Sequence, residues 1–186
     1  MIIKPNASQD EFSSPFFKKN EEFCSKFEEF ITGKNGKVKG QYNAWSYIIY
    51  GKVSNPKNWT LKYKKSTFSS GNLLLSSKSQ NLFVMAEWAT ERIESQNSEF
   101  HIRKKTKMDF IKLLLNKKMS KFGNLNDYII ESNGNESQLI TKLTKILETI
   151  FKSGKIYSID YRNGKLKIEL RTEEHHFDIF NELVEI

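Results

Sequence analysis

The sequence predicts an α+β fold: an N-terminal helix, a central antiparallel sheet, and a C-terminal strand, helix, hairpin and helix packed on it. Three observations predict it. Residues 15–32 repeat apolar side chains at helical spacing, residues 37–103 turn to short β-branched and aromatic stretches broken by turn residues, and residues 128–184 alternate between the two patterns. The 14 Phe, 7 Tyr and 3 Trp in 186 residues supply more bulk than a disordered chain carries. A chain of this length ordinarily closes one core. Residues 15–186 are therefore expected as a single domain behind a flexible polar segment, residues 1–14, with room for a sub-boundary near 104–126.

Ser14-Pro15 opens the first helix, serine as N-cap and proline at the first helical position. Phe16, Phe23, Phe27 and Phe30, with Cys24 and Ile31, recur at three, four and seven residues and define its expected buried face. Gly33 and Gly36 end it. Tyr42 to Val53 then reads as one strand with bulk on both faces, as a central strand has. Asn55-Pro56-Lys57-Asn58 is a loop sequence. Beyond it, Trp59, Leu61 and Tyr63 alternate with Thr60, Lys62 and Lys64, the pattern of a half-buried strand. Leu73-Leu74-Leu75 and Leu82-Phe83-Val84-Met85 read as two more strands, Ala86 to Gln96 fits either an extension or a helix, and Phe100 with Ile102 marks another strand.

Thr106-Lys107-Met108-Asp109 has the form of a capping box with Asp for the usual Glu. Met108, Ile111, Leu115, Met119 and Phe122 follow at helical spacing, which predicts one helix reaching Phe122 with that side buried. Tyr128 to Glu131 is a short strand. Asn135 with Gln138 caps a helix carrying Leu139, Ile140, Leu143, Ile146, Leu147, Ile150 and Phe151, and Gly154 suits the left-handed position after it. Ile156 to Tyr161 and Lys165 to Leu170 make a hairpin around Asn163-Gly164, a tight-turn pair. A last helix spans about His175 to Val184, with Phe177, Phe180, Leu183 and Val184 apolar.

Catalytic signatures are few. Glu173, Glu174, His175 and His176 cluster in sequence, but adjacent helical residues point about 100° apart and do not converge on a metal. Cys24 lies among phenylalanines, where a thiol is an inert small hydrophobe. His101 sits opposite the Phe100 and Ile102 face, the usual place of a sheet-surface histidine. There is no Gly-x-Ser-x-Gly elbow. Gly33-Lys34-Asn35-Gly36-Lys37 follows a helix and lacks Walker or dinucleotide spacing, so no cofactor is implied. These readings favour a non-enzymatic protein, although a site assembled from distant residues leaves no such signature.

Charge is the informative property. The formal net charge of +8 is not spread evenly. Between Glu29 and Glu87 there is no acid, while Lys34, Lys37, Lys39, Lys52, Lys57, Lys62, Lys64, Lys65 and Lys78 are basic. From Arg103 to Lys121, eight basic residues (Arg103, Lys104, Lys105, Lys107, Lys112, Lys117, Lys118, Lys121) face one acid, Asp109. The expected partner-binding residues are Lys62, Lys64, Lys65, Arg103, Lys104, Lys105 and Lys107, and the expected partner is an acidic protein. Nucleic acid is the alternative, weakened by the 4 Arg among 30 basic residues, since arginine is favoured for bidentate phosphate and base contacts. On the strand, moreover, Trp59 and Tyr63 lie opposite Lys62 and Lys64. The absence of an apolar leader or membrane span, with a single cysteine, predicts a cytoplasmic protein without integral membrane association. Oligomeric state is not encoded in these patterns.

Overall fold

A computed structural model describes residues 2–68, 81–91, 93, 99–133 and 138–186, excepting the side chains of 67, 68 and 81–83. The fold is α+β, with five α-helices and ten strands in parallel and antiparallel pairs among the described residues. Internal contacts divide the chain into two compact units, Met1–Glu87 with Thr172–His175, and Trp88–Arg171 with His176–Ile186. The expected sub-boundary near 104–126 falls inside the second unit. The expected Leu73-Leu74-Leu75 strand and the Asn135 cap lie outside the described residues.

In the N-terminal unit, strand β1 (Lys4–Pro5) and a 3-10 turn (Gln9–Ser13) precede helix α1 (Pro15–Gly33). Strands β2 (Lys37–Tyr42), β3 (Tyr47–Val53), β4 (Trp59–Phe68) and the first part of β5 (Asn81–Thr90) follow, in the order β1-β2-β3-β4-β5. β1 runs parallel to β2, and β2, β3 and β4 form antiparallel hairpins. The first residues, expected to be flexible, are tied to α1. Ile3 is fully buried, and the backbone N–H groups of Ile2 and Ile3 donate to the Glu28 carboxylate at 2.8 Å.

The Ser14 hydroxyl caps α1 by accepting from the Phe16 N–H, as expected. The buried stripe is Phe17, Asn20, Cys24, Phe27 and Ile31, so the expected face is rotated: Phe16 is exposed and lies near Trp45. Asn20 explains the shift. Its amide donates to the Asn43 and Ala44 carbonyls at 2.8 and 3.2 Å, so a polar residue with a structural task occupies the apolar stripe. The expected strand from Tyr42 to Val53 is likewise corrected to the end of β2, a turn, and β3. Asn43 Oδ1 accepts the N–H groups of Trp45 and Ser46 at 2.9 and 2.7 Å, which reverses the chain and leaves Trp45 exposed.

Gly51 on β3 is where α1 comes closest. A Cβ there would lie 2.6 Å from the Ile31 side chain and 2.8 Å from the Phe27 ring. Phe27 in turn meets Tyr63 edge-on at 5.4 Å. Trp59, Leu61 and Tyr63 are all buried, as the alternation on β4 predicts.

The C-terminal unit contains the end of β5, then β6 (Phe100–Lys104), α2 (Asp109–Leu115), β7 (Met119–Phe122), β8 (Leu125–Ser132), α3 (Gln138–Ile146) and α4 (Glu148–Lys152). β9 (Ile156–Arg162), β10 (Lys165–Leu170) and α5 (Phe177–Leu183) complete it. Its strand order is β10-β9-β6-β8-β7, and the pairs are antiparallel. The helix expected to reach Phe122 stops at Leu115. Asn116 is extended, its Oδ1 accepts from the Lys118 N–H at 3.0 Å, and Met119–Phe122 pairs with β8 across a turn at Gly123. A helical stripe and a hairpin both accommodate apolar residues at 108, 111, 115, 119 and 122, and the turn residues decide between them.

The helix expected from Leu139 to Phe151 is two helices broken at Leu147, with one continuous stripe: Leu139, Ile140, Leu143, Leu147, Ile150 and Phe151 are buried. Gly154 takes a positive φ of 67° after it. Asn163 and Gly164, at φ 50° and 74°, make the primed turn that joins β9 to β10. Gly164→Ala is expected to destabilise the protein by about 1 to 2 kcal/mol, the cost of a left-handed alanine. Urea unfolding of the variant measures this directly.

Candidate anion-binding surface

The seven basic residues expected to bind a partner are distributed between the units. On β4, Lys62 and Lys64 lie opposite Tyr50 and Ile48, and the Lys62 ammonium sits 5.6 Å from the Tyr50 ring centre, with Lys39 at 5.4 Å. Lys65 departs from this group. Alternation puts it on the side of Trp59, Leu61 and Tyr63, where its side chain is 11% exposed and its ammonium lies 3.6 Å from Glu173. In the C-terminal unit Arg103 is engaged by Asp109, and Lys104 donates to the Gly154 carbonyl at 3.0 Å. Lys105 and Lys107 are exposed.

One face of the β6, β9 and β10 strands carries a cavity of about 640 Å³. Register places His101, Asp160 and Lys167 in one row across it and Arg103, Ser158 and Glu169 in the next, while Ile102, Ile159 and Ile168 form an apolar row on the opposite face. The His101 Nδ1 is 3.1 Å from Asp160 Oδ2, which also meets the Arg162 guanidinium at 3.2 Å. The Ser158 hydroxyl donates to Glu169 at 2.6 Å. Burial acts to raise the Glu169 pKa, but the bonds from Ser158 and Lys167, with the charges of Lys167 and Arg171, more than offset it and hold the carboxylate below its usual range. The hydroxyl proton is thus committed to a carboxylate. A nucleophilic serine would donate it to the histidine.

The other residues weighed for chemistry are packing groups. Cys24 is buried, and burial followed by the charge of Glu28 pushes its thiol up to about 12, far from a reactive thiolate. His175 stacks on Phe23 with ring centres 3.8 Å apart, and its carbonyl accepts the Tyr63 hydroxyl at 2.6 Å. Among the described residues, no group of three or more His, Cys, Asp or Glu is placed to hold a metal ion, and no helix is long and apolar enough to cross a membrane.

A larger cleft, of about 980 Å³, lies between the β7–β8 hairpin and α3 with α4. Its apolar lining comes from Phe122, Leu125, Ile130 and Ile140, and its charge from Lys117, Lys118 and Lys121 on one side and Lys145 and Lys152 on the other. Lys152 is bonded to Glu148 at 2.6 Å. Among the described residues no carboxylate pairs with Lys117, Lys118, Lys121 or Lys145, and all four are exposed. Lys117, Lys118 and Lys121 were visible as basic residues in the sequence. Their convergence with Lys145 was not, because it depends on the hairpin that periodicity read as helix.

One carboxylate ties Arg103 to the start of α2. Asp109 accepts from both Arg103 terminal nitrogens at 2.7 Å and from the Thr106 N–H and hydroxyl at 2.6 and 2.7 Å. The Arg103 hydrogen bonds hold its pKa well below the usual carboxylate range against the opposing effect of burial, and the Thr106 bonds add to them. The carboxylate-to-N–H half of the expected capping box is therefore present, turned to bind an arginine as well. No protein-family model, no curated protein and no solved structure matches the chain.

Proposed function

We propose that the protein is a non-enzymatic binding or adaptor protein that contacts an acidic polypeptide through the lysine-lined cleft of its C-terminal unit. The observation that carries the reading is the combination in that cleft of four lysines without acidic partners among the described residues and an apolar lining. Such a surface suits a chain that presents carboxylates around an apolar side chain, since complementary charge sets encounter and register while apolar burial sets the contact. A nucleic acid is the second reading. It is disfavoured here because the cleft's one aromatic ring, Phe122, is 7% exposed and offers no open face to a base.

The test is fluorescence anisotropy with a labelled glutamate-rich peptide carrying leucines, beside a single-stranded oligonucleotide of equal charge. Salt-sensitive peptide binding, weakened at least about tenfold by Lys121→Glu with Lys145→Glu, is the expected result. Tighter binding of the oligonucleotide with a steep salt slope selects the second reading. Binding of neither probe at ~50 mM salt overturns both.

A further inference from the structure

Helix α2 is seven residues long and turns most of its apolar side chains outward: Phe110 is 60% exposed, Ile111 40%, and Leu114 and Leu115 79% each, with Met108 before them at 64%. Phe110, Ile111, Leu114 and Leu115 cover an arc of roughly 140° on the helix. Single exposed leucines are ordinary, but a contiguous set on one short helix marks an interaction surface. The flanking charge is mostly positive, with one exposed acid beside it, Glu131, whose carboxylate accepts from the Asn116 amide at 3.3 Å just past the helix. Lys105, Lys107, Lys112, Lys117 and Lys118 are exposed around it, and Asp109, the one acid between Arg103 and Lys121, is buried against Arg103. A helix this short is not stable by itself in water. Asp109, gripped by Arg103 and Thr106, fixes it at its first turn.

We propose that α2 docks the protein on an anionic lipid bilayer, with Phe110, Ile111, Leu114 and Leu115 entering the interfacial layer and Lys105, Lys107 and Lys112 meeting the headgroups. Interfacial helices combine these two features, apolar area for insertion and cations for the anionic surface. Charge decides between this occupant and a second copy of the chain. Two copies meeting through α2 would bring the same lysines together, with no exposed acid in the segment to oppose them. An anionic surface meets every one of those lysines favourably. The inference shares Lys117 and Lys118 with the rim of the cleft but rests on Phe110, Ile111, Leu114 and Leu115, which do not line it, and it concerns another kind of partner.

The test uses the full chain with Leu114→Cys carrying an environment-sensitive fluorophore. Cys24 is fully buried, so the introduced thiol is the one open to labelling. The probes are vesicles of phosphatidylcholine alone and vesicles containing about 30% phosphatidylserine, at ~0.1 M salt. Expected are sedimentation with the anionic vesicles, at least about tenfold preferred over the neutral ones, and a blue shift of the label on binding. In the unlabelled protein, Phe110→Ser with Leu115→Ser lowers partition at least about tenfold with the unfolding midpoint unchanged, because both side chains are exposed. Lys107→Gln lowers it about fivefold. Three results overturn the proposal: no sedimentation with anionic vesicles, sedimentation with a label that stays in water, or a blue shift without vesicles that grows with protein concentration alongside dimer formation. The last assigns the helix to a second copy.

Discussion

Phe27→Ala is expected to destabilise the protein by about 3 to 5 kcal/mol, the range for removing a buried phenylalanine that its surroundings cannot refill. Phe27 is fully buried, meets Tyr63 edge-on, and occupies the place where α1 rests on β3. The strand side of that contact is Gly51, whose missing Cβ leaves room for Phe27 and Ile31. Gly51→Ala alone is expected to cost about 1 to 3 kcal/mol through overpacking. Combined with Phe27→Ala it costs less, because only Ile31 remains to be displaced. Urea unfolding of the two single variants and the double variant measures this coupling. Costs that add within ~0.5 kcal/mol would mean that the helix does not lean on the strand at this point.

Arg103→Met carries the second large effect, about 2 to 3 kcal/mol at neutral pH, since it strands the Asp109 carboxylate beneath the surface without its cation. The figure lies below that for a deep ion pair because the Arg103 side chain is itself 25% exposed. The pH dependence follows from the direction of the shift. The folded-state pKa of Asp109 is depressed, so its stabilisation is present above the unfolded value of about 4 and is lost as pH falls through the folded one. In Arg103→Met the carboxylate loses the largest of the effects that depress it and keeps the Thr106 bonds. The gap between parent and variant is therefore widest near pH 7 and narrows below about pH 4. Unfolding midpoints at both pH values check this, and a gap independent of pH would place the cost somewhere other than the carboxylate.

Where a pattern is local, the sequence is a good guide to this fold. Alternation at Trp59, Leu61 and Tyr63 and at Phe100 and Ile102 marks real strands, and Asn163-Gly164 marks a real primed turn. Each depends on backbone geometry within a few residues. The misread segments are those where two geometries accept the same spacing. Residues 108–122 fit a single helix or a helix and hairpin equally in apolar period, and only Asn116 and Gly123 distinguish them. The stripe of α1 was obscured because Asn20 is buried for its hydrogen bonds, which no hydrophobic count registers. Lys65 is different: its place on the face of Tyr63 was legible from alternation. The cleft was not legible, since Lys121 and Lys145 come from separate elements and meet only through tertiary packing.

β1 and β7, each at one end of its strand order, are poor templates for strand addition from another molecule. β1 is a two-residue Lys-Pro strand, and Pro5 has no N–H with which to template another chain. β7 is four residues long, breaks register between Lys121 and Phe122, and sets a lysine at the break. An open, flat edge invites strand addition between molecules, and these two are short, charged and irregular. Strand addition at either edge would first require stripping β1 from β2 or straightening β7.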